Sequence, residues 1–353
     1  MAVRSLTFAS IFVLAFVACG GDDKTSSSSG DPTSTGTPTD PTGGTTSGGT
    51  SGTTPPDPGG SGAGDAGGAT PPTTKSVKFI AMGDTGTGSN DQLKIGNTIS
   101  ALCQTRGCDF VQLLGDNLYD SGASSVDDTI WQDKFEVPYA AVNLDFWAVL
   151  GNHDYGHNGL GTDWGKGKNE IEYTKKSTKW KMPAAYWERT VENVHMIGLD
   201  TNMMMFGQDS NQKKDIPSWI TKSTAPWRIA FGHHPYKSNG PHGNAGTYDK
   251  IPIGPPSGNG VKSFLEDNIC GKVDLYLAGH DHSRQWLNVS CKGTELAVSG
   301  AGAKATELEG SNPALFQSLE LGFLYIVVEG KKLTAEFIDE NGKTEFTHTI
   351  TKP

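Results

Sequence analysis

Five times along the chain an apolar, strand-forming run ends in a glycine followed by Asp, Asn or His. Residues 76–82 lead into Gly83-Asp84-Thr85-Gly86, and 110–114 into Gly115-Asp116-Asn117-Leu118-Tyr119-Asp120. Residues 146–150 lead into Gly151-Asn152-His153-Asp154, 227–231 into Gly232-His233-His234-Pro235, and 273–278 into Gly279-His280-Asp281-His282. Each run reads as a buried strand and each tail as a turn. Helical spacing fills the gaps: 90–104 sets Ile95, Ile99 and Leu102 on one face, while 126–139 and 261–269 predict two more helices. From Glu295 on, four apolar runs separated by turns at Gly330 and Asn341-Gly342 predict successive strands. Strand–helix alternation followed by such a run of strands predicts an α/β sandwich with helices outside two sheets. Ligands of open α/β sheets bind beyond the carboxyl ends of the strands, where all five tails lie.

The first 75 of the 353 residues do not share this pattern. Residues 1–18 combine Arg4 with an apolar run from Ile11 to Ala18, the layout of a secretory signal, and too short to span a membrane. Ala18-Cys19 at the end of that run resembles a bacterial lipobox, which implies a lipid anchor at Cys19; the other reading is an ordinary cleaved signal with an incidental Cys. Residues 19–75 are almost wholly Gly, Ser, Thr, Pro and Asp, too poor in apolar surface to offset ordering entropy, and are expected to form a tether. The expected product is exported, either held at the outer membrane or cell surface or secreted, and acts as a monomer. Residues 76–353 suffice for one large domain.

A formal net charge of −10 argues against nucleic acid as a partner and leaves a phosphate substrate in need of a local cation. Four cysteines remain beside Cys19, an even number that suits disulfides in an exported chain. Proximity favours Cys103 with Cys108 and Cys270 with Cys291, although two other pairings are open.

Asp84, Asp116, Tyr119, Asn152, His233, His280 and His282 are the candidate metal ligands. Carboxylate and phenolate suit a hard ferric ion, and imidazole suits iron, zinc or manganese. One Asp after a strand is usually a turn or helix cap, and one His usually a packed side chain. The joint pattern weighs against that reading, because six of the nine histidines lie in or just after the last three tails. In this order the five tails resemble the metallophosphoesterases of calcineurin-like fold, a four-layer α/β/β/α sandwich of two mixed sheets flanked by helices. Tyr119 narrows the resemblance to the purple acid phosphatases, of which the small tartrate-resistant type is nearest, with residues 171–187, Leu199-Asp200-Thr201, 276–287 and Ser299–Ala303 in support. It covers essentially residues 78–351.

The resemblance implies a dinuclear centre of Fe(III) plus a divalent ion, Fe, Zn or Mn. Asp84, Asp116, Tyr119 and His282 would hold the first ion, and Asp116, Asn152, His233 and His280 the second. His153 and His242, with Asn152, would meet the substrate phosphate, His242 as proton donor. His234 stands where an aromatic residue is common. Residues 202–217 fall where mammalian members carry an inhibitory loop, but are shorter, so that regulation is not carried over. Two cations neutralise phosphate charge and lower the pKa of bound water, so hydroxide exists in acid, and a His can protonate the leaving alcohol. The expectation is an acid phosphatase acting on phosphorylated small molecules. The alternatives are a manganese- or zinc-dependent phosphodiesterase of the same superfamily and a non-catalytic surface-binding lipoprotein.

Overall fold

The computed structural model describes residues 75–353; the signal segment, Cys19 and all but the end of the expected tether lie outside them. Two seven-stranded sheets carry the chain. The first runs in the order Thr344–Thr351 (β14), Lys332–Asp339 (β13), Gly322–Glu329 (β12), Val77–Met82 (β1), Phe110–Leu113 (β2), Asp145–Ala148 (β3) and Trp180–Lys181 (β4). The second runs Ala314–Ser318 (β11), Arg284–Leu287 (β9), Glu295–Ser299 (β10), Leu275–Ala278 (β8), Trp227–Phe231 (β7), Val194–Gly198 (β6) and Trp187–Val191 (β5).

Period-two alternation divides each central strand between two cores. On β1, Val77, Phe79 and Ala81 face the second sheet and join Phe231, Leu275 and Leu277 between the sheets. Ile80 and Met82 face the other way, onto Ile95, Ile99 and Leu102 of α1 (Asn90–Arg106). The outer face of the second sheet packs against Met204 of α3 (Thr201–Met205), Ile216 and Ile220 of α4 (Ser210–Lys222) and Phe264 and Leu265 of α5 (Asn259–Asn268). A shorter helix, α2 (Gly167–Tyr173), lies beside the first sheet's core, to which Tyr173 contributes. Three apolar layers therefore separate four layers of structure, as the resemblance implied.

Strands β1, β2 and β3 pair in parallel, as do β6, β7 and β8 with β10 next to β8. Parallel pairing sends the carboxyl ends of neighbouring strands to one edge, so the five tails emerge as neighbours within their sheets. Both favoured disulfides form, Cys103–Cys108 and Cys270–Cys291, with Cα–Cα separations of 5.1 and 5.0 Å.

Two expectations need correction. Residues 126–139 do not form a regular helix. Trp131, Phe135 and Tyr139 are buried at helical spacing, but the backbone closes a single wide turn at Gln132–Glu136, where the Val137 N–H reaches back to Gln132 O. Pro138 has no N–H to add, and the Tyr139 N–H returns to Phe135 O at 3.2 Å. The four late strands are not consecutive in one sheet: β10 belongs to the second sheet, β12 to β14 close the first, and β11 intervenes. Residues 202–217 are largely helical, occupied by α3 and the start of α4. Among the described residues no helix is long and apolar enough to cross a membrane.

Candidate metal centre

Three of the proposed ligands hold a backbone conformation that L-residues rarely adopt: φ is +59° at Asp84, +52° at Asp116 and +70° at His280. Each follows a glycine at the end of a parallel strand. Such left-handed residues cost about 1–2 kcal/mol apiece and gather at functional sites. The glycines make the approach possible. A Cβ on Gly115 would lie 2.6 Å from His233 Nδ1, and one on Gly151 would overlap Asp116 Oδ1.

The turns bring lone-pair atoms together. The Tyr119 hydroxyl lies 3.1 Å from both Asp84 Oδ1 and His282 Nε2, and His282 Nε2 is 3.6 Å from Asp84 Oδ1. On the other side, His233 Nε2 is 2.9 Å from Asn152 Oδ1, 3.1 Å from His280 Nδ1 and 3.4 Å from Asp116 Oδ1, and Asp116 also lies beside Asp84, their oxygens and a His233 nitrogen all within 4.8 Å of one another. Donors bound at 2.0–2.2 Å to one ion stand about 3–3.5 Å apart, so both groups have the spacing of coordination shells. His233 Nδ1 faces the Leu114 carbonyl at 2.9 Å, which can only accept, so Nδ1 carries hydrogen and Nε2 is left for the centre. Asn152 Nδ2 donates to Gly159 O at 2.8 Å, which turns Oδ1 toward His233.

Charge is distributed unevenly. Burial pushes the Asp84 carboxyl up to about 8, although His233 opposes this. Burial, then the charges of Asp116 and Asp84, push the Tyr119 phenol well above its usual range. Burial also opposes ionisation of Asp116, yet His233 and His153 hold it well below the usual carboxylate range. Burial likewise works against a charged His233, but Asp116 raises it to about 9. The result is an Asp116–His233 ion pair flanked by neutral groups. Burial drives His280 and His234 well below 6.5, with neighbouring histidines adding to the effect. His282 is held down to about 3, chiefly by burial, with Asp116 opposing and Lys304 assisting.

The two remaining predicted residues line the same centre. His153 donates its backbone N–H to Asp116 Oδ1 at 2.9 Å, and its Nδ1 faces Asp120 O at 2.7 Å. His242 stacks on His280 with ring centroids 4.1 Å apart. Burial opposes charge on His242, while its bond to Asp249 and the charge of Asp281 raise its pKa. All nine predicted site residues thus meet at one place. His234 is buried behind them, its Nδ1 2.8 Å from Thr201 Oγ1, and forms with His233 and His280 a second group able to hold an ion; Asp84, Asp116 and His233 form the first.

Several contributors are not evident from residue order. Asp154 accepts from the backbone N–H groups of Asn117, Leu118 and Gly151 at 2.8–3.1 Å, tying two ligand turns together. Asn117 Nδ2 bridges Asp154 and buried Glu170 at 3.0 and 3.2 Å. Asp154 lies inside the third tail, whereas Glu170 carries no local signal. Lys304 sets its ammonium 3.7 Å from the centre of the Tyr119 ring, and Lys134 donates to the Tyr119 carbonyl.

A strand-end cage of carboxylates, a phenol and imidazoles between two mixed sheets defines a metal-dependent hydrolase of the α/β/β/α class. The family described as calcineurin-like phosphoesterase matches residues 77–284, and the chain belongs to that family. It is 26% identical over 318 residues to the tartrate-resistant acid phosphatase type 5 of Mus musculus, covering 78% of this chain and 91% of that one. It is 27% identical over 280 residues to purple acid phosphatase 3 of Arabidopsis thaliana, covering 72% and 70% respectively. Among solved structures, GAP50, the anchor in the inner membrane complex of Plasmodium, shares the fold with a TM-score of 0.64 at 19% identity, over 79% of this chain and 89% of that one. The family and its acid-phosphatase members imply a dinuclear metal site.

Proposed function

We propose that the protein is an acid phosphatase that hydrolyses phosphate monoesters at an Fe–M(II) centre. The observation that carries this reading is the Tyr119 phenol, set 3.1 Å from both Asp84 and His282 inside the donor cluster. Asp84, Asp116, Tyr119 and His282 would hold the ferric ion; Asp116, Asn152, His233 and His280 would hold the divalent one. The pair would neutralise the phosphate and supply an oxygen nucleophile at low pH.

The chain's own residues do the rest. Asp116, fixed by the His153 N–H, joins the two halves of the cage. His282, kept neutral down to about pH 3, leaves a lone pair free for a cation under acid conditions. His153, with Nδ1 anchored on Asp120, and Asn152 would orient the phosphate, and His242 would protonate the leaving oxygen. In support stand the acid-phosphatase relatives, which match over most of this chain. The signal segment and Cys19 complete the proposal as an exported, lipid-anchored enzyme; metabolic labelling with palmitate, lost on Cys19→Ala, tests that part.

One observation favours the phosphodiesterase reading. His234 adds a third imidazole beside His233 and His280, a set that suits zinc or manganese. Metal analysis with a visible spectrum, together with turnover of p-nitrophenyl phosphate and bis(p-nitrophenyl) phosphate between pH 4 and 8, separates the two. A purple, iron-containing protein that cleaves the monoester in acid is expected. A colourless zinc or manganese protein that prefers the diester overturns the proposal.

A further inference from the structure

His242 is held from three directions. Its ring stacks on His280, its backbone N–H donates to Asp281 Oδ1 at 2.9 Å, and its Nδ1 lies 2.7 Å from Asp249 Oδ1. The Asp249 N–H returns a bond to the His242 carbonyl at 3.0 Å, so the two residues grip each other through both side chain and backbone. Asp249 follows Tyr248, which is buried and donates its hydroxyl to Pro235 O, in the segment that leads out of the His233 turn. Asp249 and Lys250 are consecutive non-glycine residues with φ of +51° and +61°. Two left-handed residues in a row persist only where surrounding contacts impose them. Here these are the buried Tyr248 and the backbone bonds of Asp249 to His242 O, of Lys250 to Thr247 O and of Ile251 to Tyr248 O.

A carboxylate can only accept, so His242 Nδ1 carries hydrogen, and Nε2 makes no hydrogen bond among the described residues. We propose that Asp249 is the positioning residue of ester cleavage, locking the His242 ring so that Nε2–H faces the leaving oxygen; this rests on the phosphatase reading above. As the P–O ester bond breaks, its electron pair stays on the leaving oxygen, which takes the Nε2 proton. Nδ1–H remains on Asp249. The attacking water's oxygen ends in the phosphate together with one of its protons, and the other proton makes good the one that His242 gave.

The test uses full-length, metal-loaded protein and two substitutions. Asp249→Gly removes the carboxylate while tolerating the left-handed backbone. Asp249→Asn keeps an acceptor oxygen, and Asn also tolerates that conformation. Two monoesters are compared, glycerol 2-phosphate, whose alkoxide must be protonated as it leaves, and p-nitrophenyl phosphate, whose phenolate needs little help. For Asp249→Gly, kcat on glycerol 2-phosphate is expected to fall about 30-fold or more, a large share of the roughly 100- to 10,000-fold that a general acid contributes. On p-nitrophenyl phosphate it should fall by less than about 3-fold, with KM for both esters and metal content little changed, and Asp249→Asn should recover most of the loss. Equal losses on both esters, or no loss on either, overturn the role of Asp249 while leaving an active wild type as a phosphatase. A wild type that turns over neither ester removes the phosphatase reading and this role together.

Discussion

The two halves of the candidate centre are built from opposite chemistry. On one side stand Asp84, Tyr119 and His282; on the other stand Asn152, His233, His280 and, behind them, His234. The first side is acidic by composition yet neutral by environment, because burial keeps protons on Asp84 and Tyr119. The second is basic by composition and, apart from His233, also neutral, because burial strips protons from His280 and His234. Among the candidate ligands, charge survives only at the seam, on Asp116 and His233. The contrast teaches that the fold builds a site for cations and, without them, balances it with protons. It also gives each half its own taste, hard donors on one side and borderline donors on the other.

The most severe way to break the comparison is to remove the residue both halves share. Asp116→Ala should abolish uptake of both ions and lower turnover by about 1,000-fold or more, as expected when charge neutralisation and nucleophile activation vanish together. Asn152→Ala should weaken only the second ion. Metal content after dialysis reads both, and retention of one ion by Asp116→Ala would refute the bridge. Protons provide a second lever. Below pH 8, Asp84 holds a proton that a cation must displace, and below pH 9 so does His233. Loading the metal-free protein at pH 6.5 should therefore release about two protons from these groups, besides the one that Tyr119 gives up on binding as the phenolate of a purple centre, so acidification weakens uptake by at least about 100-fold per pH unit. Calorimetry in buffers of different ionisation enthalpy counts them. A third proton would mark Tyr119 as bound in its phenolate form, and fewer than two would contradict the charge pattern.

Asp154 tests how firmly the halves are joined. Its two oxygens take three backbone N–H groups from the turns that carry Asp116 and Asn152. Asp154→Ala strands those donors in the interior and should cost about 3 kcal/mol of stability in urea titrations. It should also weaken the second ion by about 10-fold or more, the usual effect of losing a group that orients ligands. Asp154→Asn, which keeps one acceptor oxygen, should lie between. A variant that lost stability but kept wild-type ion affinity would show that the turns hold their geometry independently.

Local pattern and residue order make much of this legible. A glycine followed by a ligand-type residue at a strand end is a local signal, and five of them in order stand out in the chain itself. So do the disulfides, whose partners lie near each other in the chain. What escapes depends on long-range packing or on a backbone that breaks its own pattern. The spacing of Trp131, Phe135 and Tyr139 is helical and all three are buried, but the backbone between them widens into a turn that Val137 closes on Gln132. Helix α4 is hidden by Pro217, which reads as a breaker yet sits inside it, while Gln212, Ile216 and Ile220 supply its buried face. Asp249 and Lys304 have no motif; the fold alone brings each to a ligand or its neighbour.

Lys304 is the subtlest probe of the difference between the halves. Its ammonium lies over the Tyr119 ring, on the acidic side, and its charge helps to hold His282 neutral. The chain as a whole carries −10, so an incoming phosphate meets a repulsive field except where cations stand close to the centre. If Lys304 draws the phosphate in, Lys304→Met should raise KM for monoesters and Ki for inorganic phosphate by about 3-fold, the scale of one partly exposed cation contact. Metal content would stay constant, and the salt dependence of KM would flatten. If Lys304 instead serves Tyr119, KM and Ki would not move. The loss of a cation from the ring face would then appear only in the phenol, as a shift of the tyrosine absorption and a weaker first ion. The first outcome gives the acidic half a role in substrate capture, and the second confines it to holding its ion.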